Sequence, residues 1–227
     1  MGNNPQMKQM LSQNKYYFIP IVNVDGVALI EEDHTKTKEM FTLVEKRKNM
    51  GPTPTDDDNH PCKVASSGVD LNRNYAYDWQ LDQETEDEAG RHKPCSEFFA
   101  GTEPFSEKET QAMRDFIDGN KDELRFVVNF HSNGNAFLWP FSSVYPNDIE
   151  NRAPKAFAVL NDISNKAEFP AAVRKGNFAD VFGKRIGGDA DDYVTGLYGI
   201  PSVTSELGNL DMYIDNFWII KTKELAF

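Results

Sequence analysis

The segment Leu124 to His131 (LRFVVNFH) is dense in β-branched and aromatic residues and reads as a buried β-strand. Ala136 to Phe141 (AFLWPF) reads as a second strand, and Pro201 to Leu207 (PSVTSEL) as a third. Tyr16 to Val24 (YYFIPIVNV) reads as a further buried strand, closed by the turn signal Asp25-Gly26. Helical periodicity lies between these runs. Ser106-Glu107-Lys108-Glu109 has the form of a capping box. It opens a helix with Ala112, Met113, Phe116 and Ile117 on one face and a plausible end at Gly119. From Ala153 to Lys166, the residues Ala156, Phe157, Val159, Leu160 and Ile163 follow an approximate 3.6 period. Strands alternating with helices predict an α/β fold with a mixed, mostly parallel sheet flanked by helices.

The rest of the chain is loop-rich. Residues 49 to 67 carry Gly, Pro and an Asp run, and residues 79 to 95 carry an acidic cluster at 84 to 88. Such charge runs are usually solvated loops. They account for much of a net charge of −12, from 24 Lys+Arg against 36 Asp+Glu. An acidic chain is a poor match for a nucleic acid backbone, so no nucleic acid partner is expected. Apolar runs are too short for a membrane span. No signal peptide is visible at the N-terminus, and Gln6 stands where a myristoylation motif wants Ser or Thr. The two cysteines, Cys62 and Cys95, flank polar sequence. By count alone they are a loop bridge or two unrelated thiols.

Several polar residues sit where strands of an α/β sheet end, which is where such sheets bind ligands. His131-Ser132 closes FVVNF, Glu206 lies inside the apolar context VTSELG, and Asn72-Arg73-Asn74 follows GVDL. A strand-end His is a common metal ligand. A carboxylate among apolar neighbours costs several kcal/mol to bury unpaired, so it has a partner or a task. Each also has a plain structural reading: a satisfied core histidine, a Glu206–Arg73 pair, an Asn that starts a turn.

Taken in order, these segments resemble the zinc carboxypeptidases of the A/B type (peptidase M14), over about residues 16 to 209. GVDLNRNY (68–75) is similar to the family's Asn-Arg motif. HSNGNAFLWPF (131–141) is similar to the strand carrying its third zinc ligand, and SELG (205–208) to the strand carrying its catalytic Glu. NVDG (23–26) resembles the Asn-Pro-Asp-Gly turn, and RKN (47–49) the segment with the oxyanion Arg. CSEFFAGTEPFSEKET (95–110) resembles the approach to the next helix. Six segments in order make the resemblance specific.

The resemblance implies hydrolysis of the C-terminal peptide bond of peptides or proteins by zinc-activated water. It implies His131 as a zinc ligand, Glu206 as the proton carrier, Arg47 as the oxyanion partner, and Asn72 and Arg73 as the grip on the terminal carboxylate. It also implies a Cys62–Cys95 disulfide, and with it an oxidising compartment, secreted or within the secretory or vacuolar lumen. Asp191 falls at the family's pocket-floor position, where an acid goes with a basic C-terminal residue. A one-residue insertion, or Asp189 facing the pocket instead, would undo that assignment.

Two departures from the family stand out. None of His34, His60, His92 and His131 is followed three residues on by Glu, so the His-x-x-Glu zinc motif is absent and is expected upstream of residue 1. The whole of 1–227 is accordingly read as one incomplete catalytic domain that lacks the first part of the fold. The family's mobile capping Tyr is also absent: its place falls on Gly183 or Lys184. These departures keep a second reading in view, a catalytically inactive relative that binds C-terminal carboxylates without cleaving. A third reading, a zinc amide hydrolase on the same scaffold, fits the 95–110 stretch less well.

Overall fold

The computed structural model describes residues 4–37, 46–52, 62–81, 90–132, 134–167 and 173–208. Within them, β1 (Val127–Ser132), β2 (Ala136–Leu138), β3 (Arg174–Gly176) and β4 (Ser202–Leu207) form one sheet in the order β1-β4-β2-β3. The β1–β4 and β2–β3 pairs are parallel, and β2–β4 is antiparallel. This is the mixed, mostly parallel sheet expected. Its helices are α1 (Pro5–Gln13), α2 (Val24–Thr37), α3 (Lys108–Asn120), α4 (Ile149–Arg152), α5 (Pro154–Lys166), α6 (Phe178–Phe182) and α7 (Ala190–Tyr198). No helix among the described residues is long and apolar enough to cross a membrane.

The strand alternation of side chains divides the sheet into two faces. On one, Val203 joins Phe137, Phe141, Ile149, Ala156 and Leu160 in a core closed by α5. On the other, α3 and α7 bring Ile117, Tyr193 and Val194 together with Tyr75 and Ile200. Local signals fix the helix that matters most for the site. Asp189 caps α7 by accepting from the Asp192 amide, and Gly199, in the left-handed conformation, ends it. Pro154 stands at the start of α5, where a missing N–H costs nothing.

Four sequence expectations need correction. Tyr16 to Val24 is not a buried strand. Residues 14 to 23 have no ladder partner among the described residues, and Phe18 is 85% exposed. Asp25-Gly26 lies inside the first turn of α2, whose entry Asn23 caps through its side chain to the Gly26 amide. The β1 strand exists, but among the described residues it lies at the sheet edge, with Val128 and Phe130 exposed. Apolar composition reports a strand's preference to pair, while burial depends on what the rest of the fold lays across it. The capping box does not form: α3 is preceded by Glu107, whose side chain makes no cap. Instead Ser106 Oγ donates to Glu107 Oε1, and Asn49 Nδ2 donates to Glu107 Oε2 at 2.6 Å. Tertiary contacts thus take the groups that local sequence offered to the helix end. In α5, Val159 faces outward, away from the predicted apolar stripe. The strand β3 and the helices α6 and α7 went unread in the sequence. The Asp run at 56–58 and the acidic cluster at 84–88 lie outside the described residues.

Candidate active site

His131 and Glu206 are direct neighbours in the β1–β4 ladder. In a parallel pair, side chains at matched positions point to the same face, so the two project side by side. Two residues earlier on each strand the alternation repeats. Asn129 pairs with Thr204, and both face the start of α7. There Asp191, only 5% exposed, accepts from Asn129 Nδ2 at 2.6 Å, from Thr204 Oγ1 at 2.6 Å and from Ser202 Oγ. A single carboxylate therefore ties α7 to both strands directly behind the His131–Glu206 pair. Gly134 closes in on Glu206 from the β1–β2 connection: a Cβ there would meet Glu206 Cβ at 2.8 Å, so that position has no room for a side chain.

The other half of the site is built from irregular backbone. Arg47 Nε donates to Asp70 Oδ2 at 2.8 Å. Asp70 is fully buried and also accepts from the Asn72 amide, which opens the short 3₁₀ turn Leu71–Arg73. Burial works against its charge, but Arg47 and then Arg73 outweigh burial and hold its carboxyl below the usual range. Arg73 is buried, with its guanidinium over the rings of Phe98 and Phe178. The Asn72 side-chain carbonyl accepts from the Ala190 amide at 3.0 Å, which joins this turn to the first residue of α7. Gly188 lies against the same turn: a Cβ would sit 2.3 Å from the Arg73 carbonyl oxygen, and φ is +70°.

The charges in the site act on one another. Burial, reinforced by Arg47, pushes His131 down to about 4, so its imidazole is neutral at physiological pH. Burial raises Glu206, opposed by Arg47 and Arg73. Among the described residues no ion pair engages Glu206, so the structural Glu206–Arg73 pair is not formed. Burial and the neighbouring Asp189 push Asp191 up to about 7, against its three hydrogen bonds.

The fold thus gathers His131, Glu206, Arg47, Asn72 and Arg73 around the ends of β1 and β4, with Asp191 behind them. Cys62 and Cys95 form a disulfide between the two loops that flank this half of the site. The sequence reading missed Asp70 and Asn129. The period-two step back from His131 identifies Asn129; nothing local marks Asp70, whose role depends on two arginines from different segments. Zinc is the metal the resemblance implies. Neutral His131 suits one ligand position, but the described residues contain no group of three His, Cys, Asp or Glu side chains able to hold a metal, and a catalytic zinc takes three protein ligands. The described donors therefore do not complete a zinc site.

The chain is 30% identical over 169 residues to human mast cell carboxypeptidase A, covering 74% of this chain and 35% of that protein. It is 29% identical over 213 residues to carboxypeptidase B of Helicoverpa zea, covering 92% and 44%. It therefore spans less than half the length of these two relatives. Its fold matches thrombin activatable fibrinolysis inhibitor with a TM-score of 0.67 at 23% identity, over 99% of this chain and 50% of that one. It matches the carboxypeptidase A of Helicoverpa armigera with a TM-score of 0.61 at 23% identity, over 89% and 44%. The sequence model of the zinc carboxypeptidases matches residues 1–224, and the chain belongs to that family.

Proposed function

We propose that this chain contributes to a metallocarboxypeptidase site that hydrolyses the C-terminal peptide bond of peptides or proteins, favouring basic C-terminal residues. The observation that carries the reading is the placement of the His131–Glu206 pair in the field of Arg47 and Arg73. An exopeptidase must recognise a free carboxylate, and a guanidinium fork does so with two parallel hydrogen bonds. Arg73 takes that role. The Asn72 carbonyl oxygen is already engaged by Ala190, which leaves its NH2 to donate to the same carboxylate. Arg47, steadied by Asp70, faces the charge that develops on the scissile carbonyl oxygen. Glu206, raised by burial, suits a group that takes a proton from the attacking water and returns it to the leaving amine. Asp191, behind the pair, is the acid that a Lys or Arg side chain would meet, and such a cation would draw the carboxyl back to its ionised form. The zinc of the family would supply Lewis acidity, with His131 as the ligand this chain offers.

The incomplete donor set favours one second reading: a relative that binds C-terminal carboxylates without cleaving them. One experiment separates the two. The full chain is incubated with zinc and a peptide ending in Arg, its C-terminal amide, and the same peptide ending in Phe. Release of free arginine from the acid alone supports the enzyme. Binding of the acid without release, measured by calorimetry, supports the binder. Equal treatment of acid and amide would sink both, since Arg73 would then have no role. Faster release of Phe than Arg removes the basic preference.

A further inference from the structure

The irregular segment 46–49 carries Arg47 into the site, while the ammonium groups of Lys46 and Lys48 turn away to carbonyls of neighbouring loops. Both are buried, Lys48 to 1% exposure. Each ammonium finds backbone carbonyls. Lys46 Nζ donates to Val64 O at 3.0 Å and to Ser67 O. Lys48 Nζ donates to Pro94 O at 2.7 Å and Ser96 O at 2.8 Å, the two carbonyls flanking Cys95. The Lys46 acceptors follow Cys62 in the loop on the far side of the same disulfide. The Asn49 amide adds a bond to Val69 O at 3.1 Å, next to Asp70. The segment bearing Arg47 is therefore laced to both loops that the disulfide joins. Burying two cations is costly when an apolar side chain would fill the same space. Burial, with Lys46 nearby, lowers Lys48 to about 8, which is the mark of that cost.

We propose that Lys46 and Lys48 are positioning residues for Arg47: their ammonium groups lace its segment to the two disulfide-joined loops and so hold the guanidinium on Asp70, facing His131 and Glu206. The consequence for catalysis rests on the reading of Arg47 as the oxyanion partner; the positioning itself is tested without turnover. The full 15N-labelled chain is observed through its arginine Nε–Hε signals, with Arg47→Lys identifying the Arg47 resonance. In the wild type this signal is shifted by its bond to Asp70 and exchanges slowly with water. In Lys48→Met and Lys46→Met it moves toward the free-arginine position and exchanges about tenfold faster, corresponding to 1.4 kcal/mol of lost protection. Lys48→Arg restores it in part. Leu160→Ala, which opens a cavity in the core under α5, lowers the melting temperature and leaves the signal in place. An unmoved Arg47 signal in a folded Lys48→Met or Lys46→Met overturns the proposal. If both Met variants fail to fold, mild reduction of the Cys62–Cys95 disulfide in the wild type must move the same signal; a fixed signal then overturns it equally. Failure of the peptide-cleavage experiment would leave all of these outcomes intact.

Discussion

His131, Glu206 and Asp191 reach the site from a hydrogen-bonded sheet and the helix packed on it, whereas Arg47, Asn72 and Arg73 reach it from irregular backbone. The difference lies in what fixes each group. On the sheet side, position follows from ladder register, and one buried carboxylate locks the helix to both strands. On the loop side there is no ladder among the described residues. Position comes from the Arg47–Asp70–Arg73 cluster, from lysines bound to carbonyls and from the disulfide. Asp70 and Asp191 make the contrast sharp. Both are buried carboxylates, yet Asp70 lies between arginines and stays charged, while Asp191 lies among hydroxyls, an amide and other acids and is driven toward its protonated form.

The largest effect is expected on the sheet side. Asp191→Ala leaves the Asn129, Ser202 and Thr204 donors without their acceptor and should cost about 3–5 kcal/mol in urea unfolding. A loss below about 1 kcal/mol would show that the sheet half does not depend on this carboxylate. Replacing Cys62 and Cys95 with Ser comes next, at about 2–4 kcal/mol. Hydrogen exchange should then quicken across residues 63–75 while the β1–β4 amides keep their protection; equal loosening of both halves would erase the distinction.

The two acids should also respond to pH with opposite sign. Asp191, raised to about 7 in the folded state, contributes stability below the unfolded carboxylate pKa that is lost as pH rises through 7. Asp70, lowered in the folded state, contributes stability above that pKa that is lost as pH falls. Urea midpoints from acid to neutral pH should therefore flatten on the neutral side in Asp191→Asn and on the acid side in Asp70→Asn. The same slope in both variants would contradict the electrostatics described here. The smallest effect belongs to the open face of β1. Phe130 is 66% exposed, so Phe130→Thr should change stability by about 0.5 kcal/mol or less. A larger loss measured by denaturant would mean that this face is covered in solution.

Legibility in the sequence follows the same division. The strands at Val127–Ser132 and Ser202–Leu207 were readable because β-branched runs carry their own pairing preference, and their register then placed His131 beside Glu206. The loop half gave motifs but no geometry. Nothing within residues 68 to 75 shows that Asp70 meets Arg47 from a separate segment. Tyr16 to Val24 misled because its strand composition meets no pairing strand among the described residues, and the capping box misled because Ser106 turns to Glu107 while Asn49 donates to the Glu109 carboxylate.

By itself, the sequence determined the α/β class, the two strands that carry His131 and Glu206, and the ordered motifs of the zinc carboxypeptidase family. These rest on local periodicity and residue identity, which need no distant partner. Only the tertiary structure decided that Arg47 rests on Asp70, that Asp191 is bound to Asn129, Ser202 and Thr204, and that burial, with Arg47 beside it, holds His131 neutral. Each of these depends on groups far apart in the chain meeting in a buried environment, where burial and neighbouring charge set the protonation state.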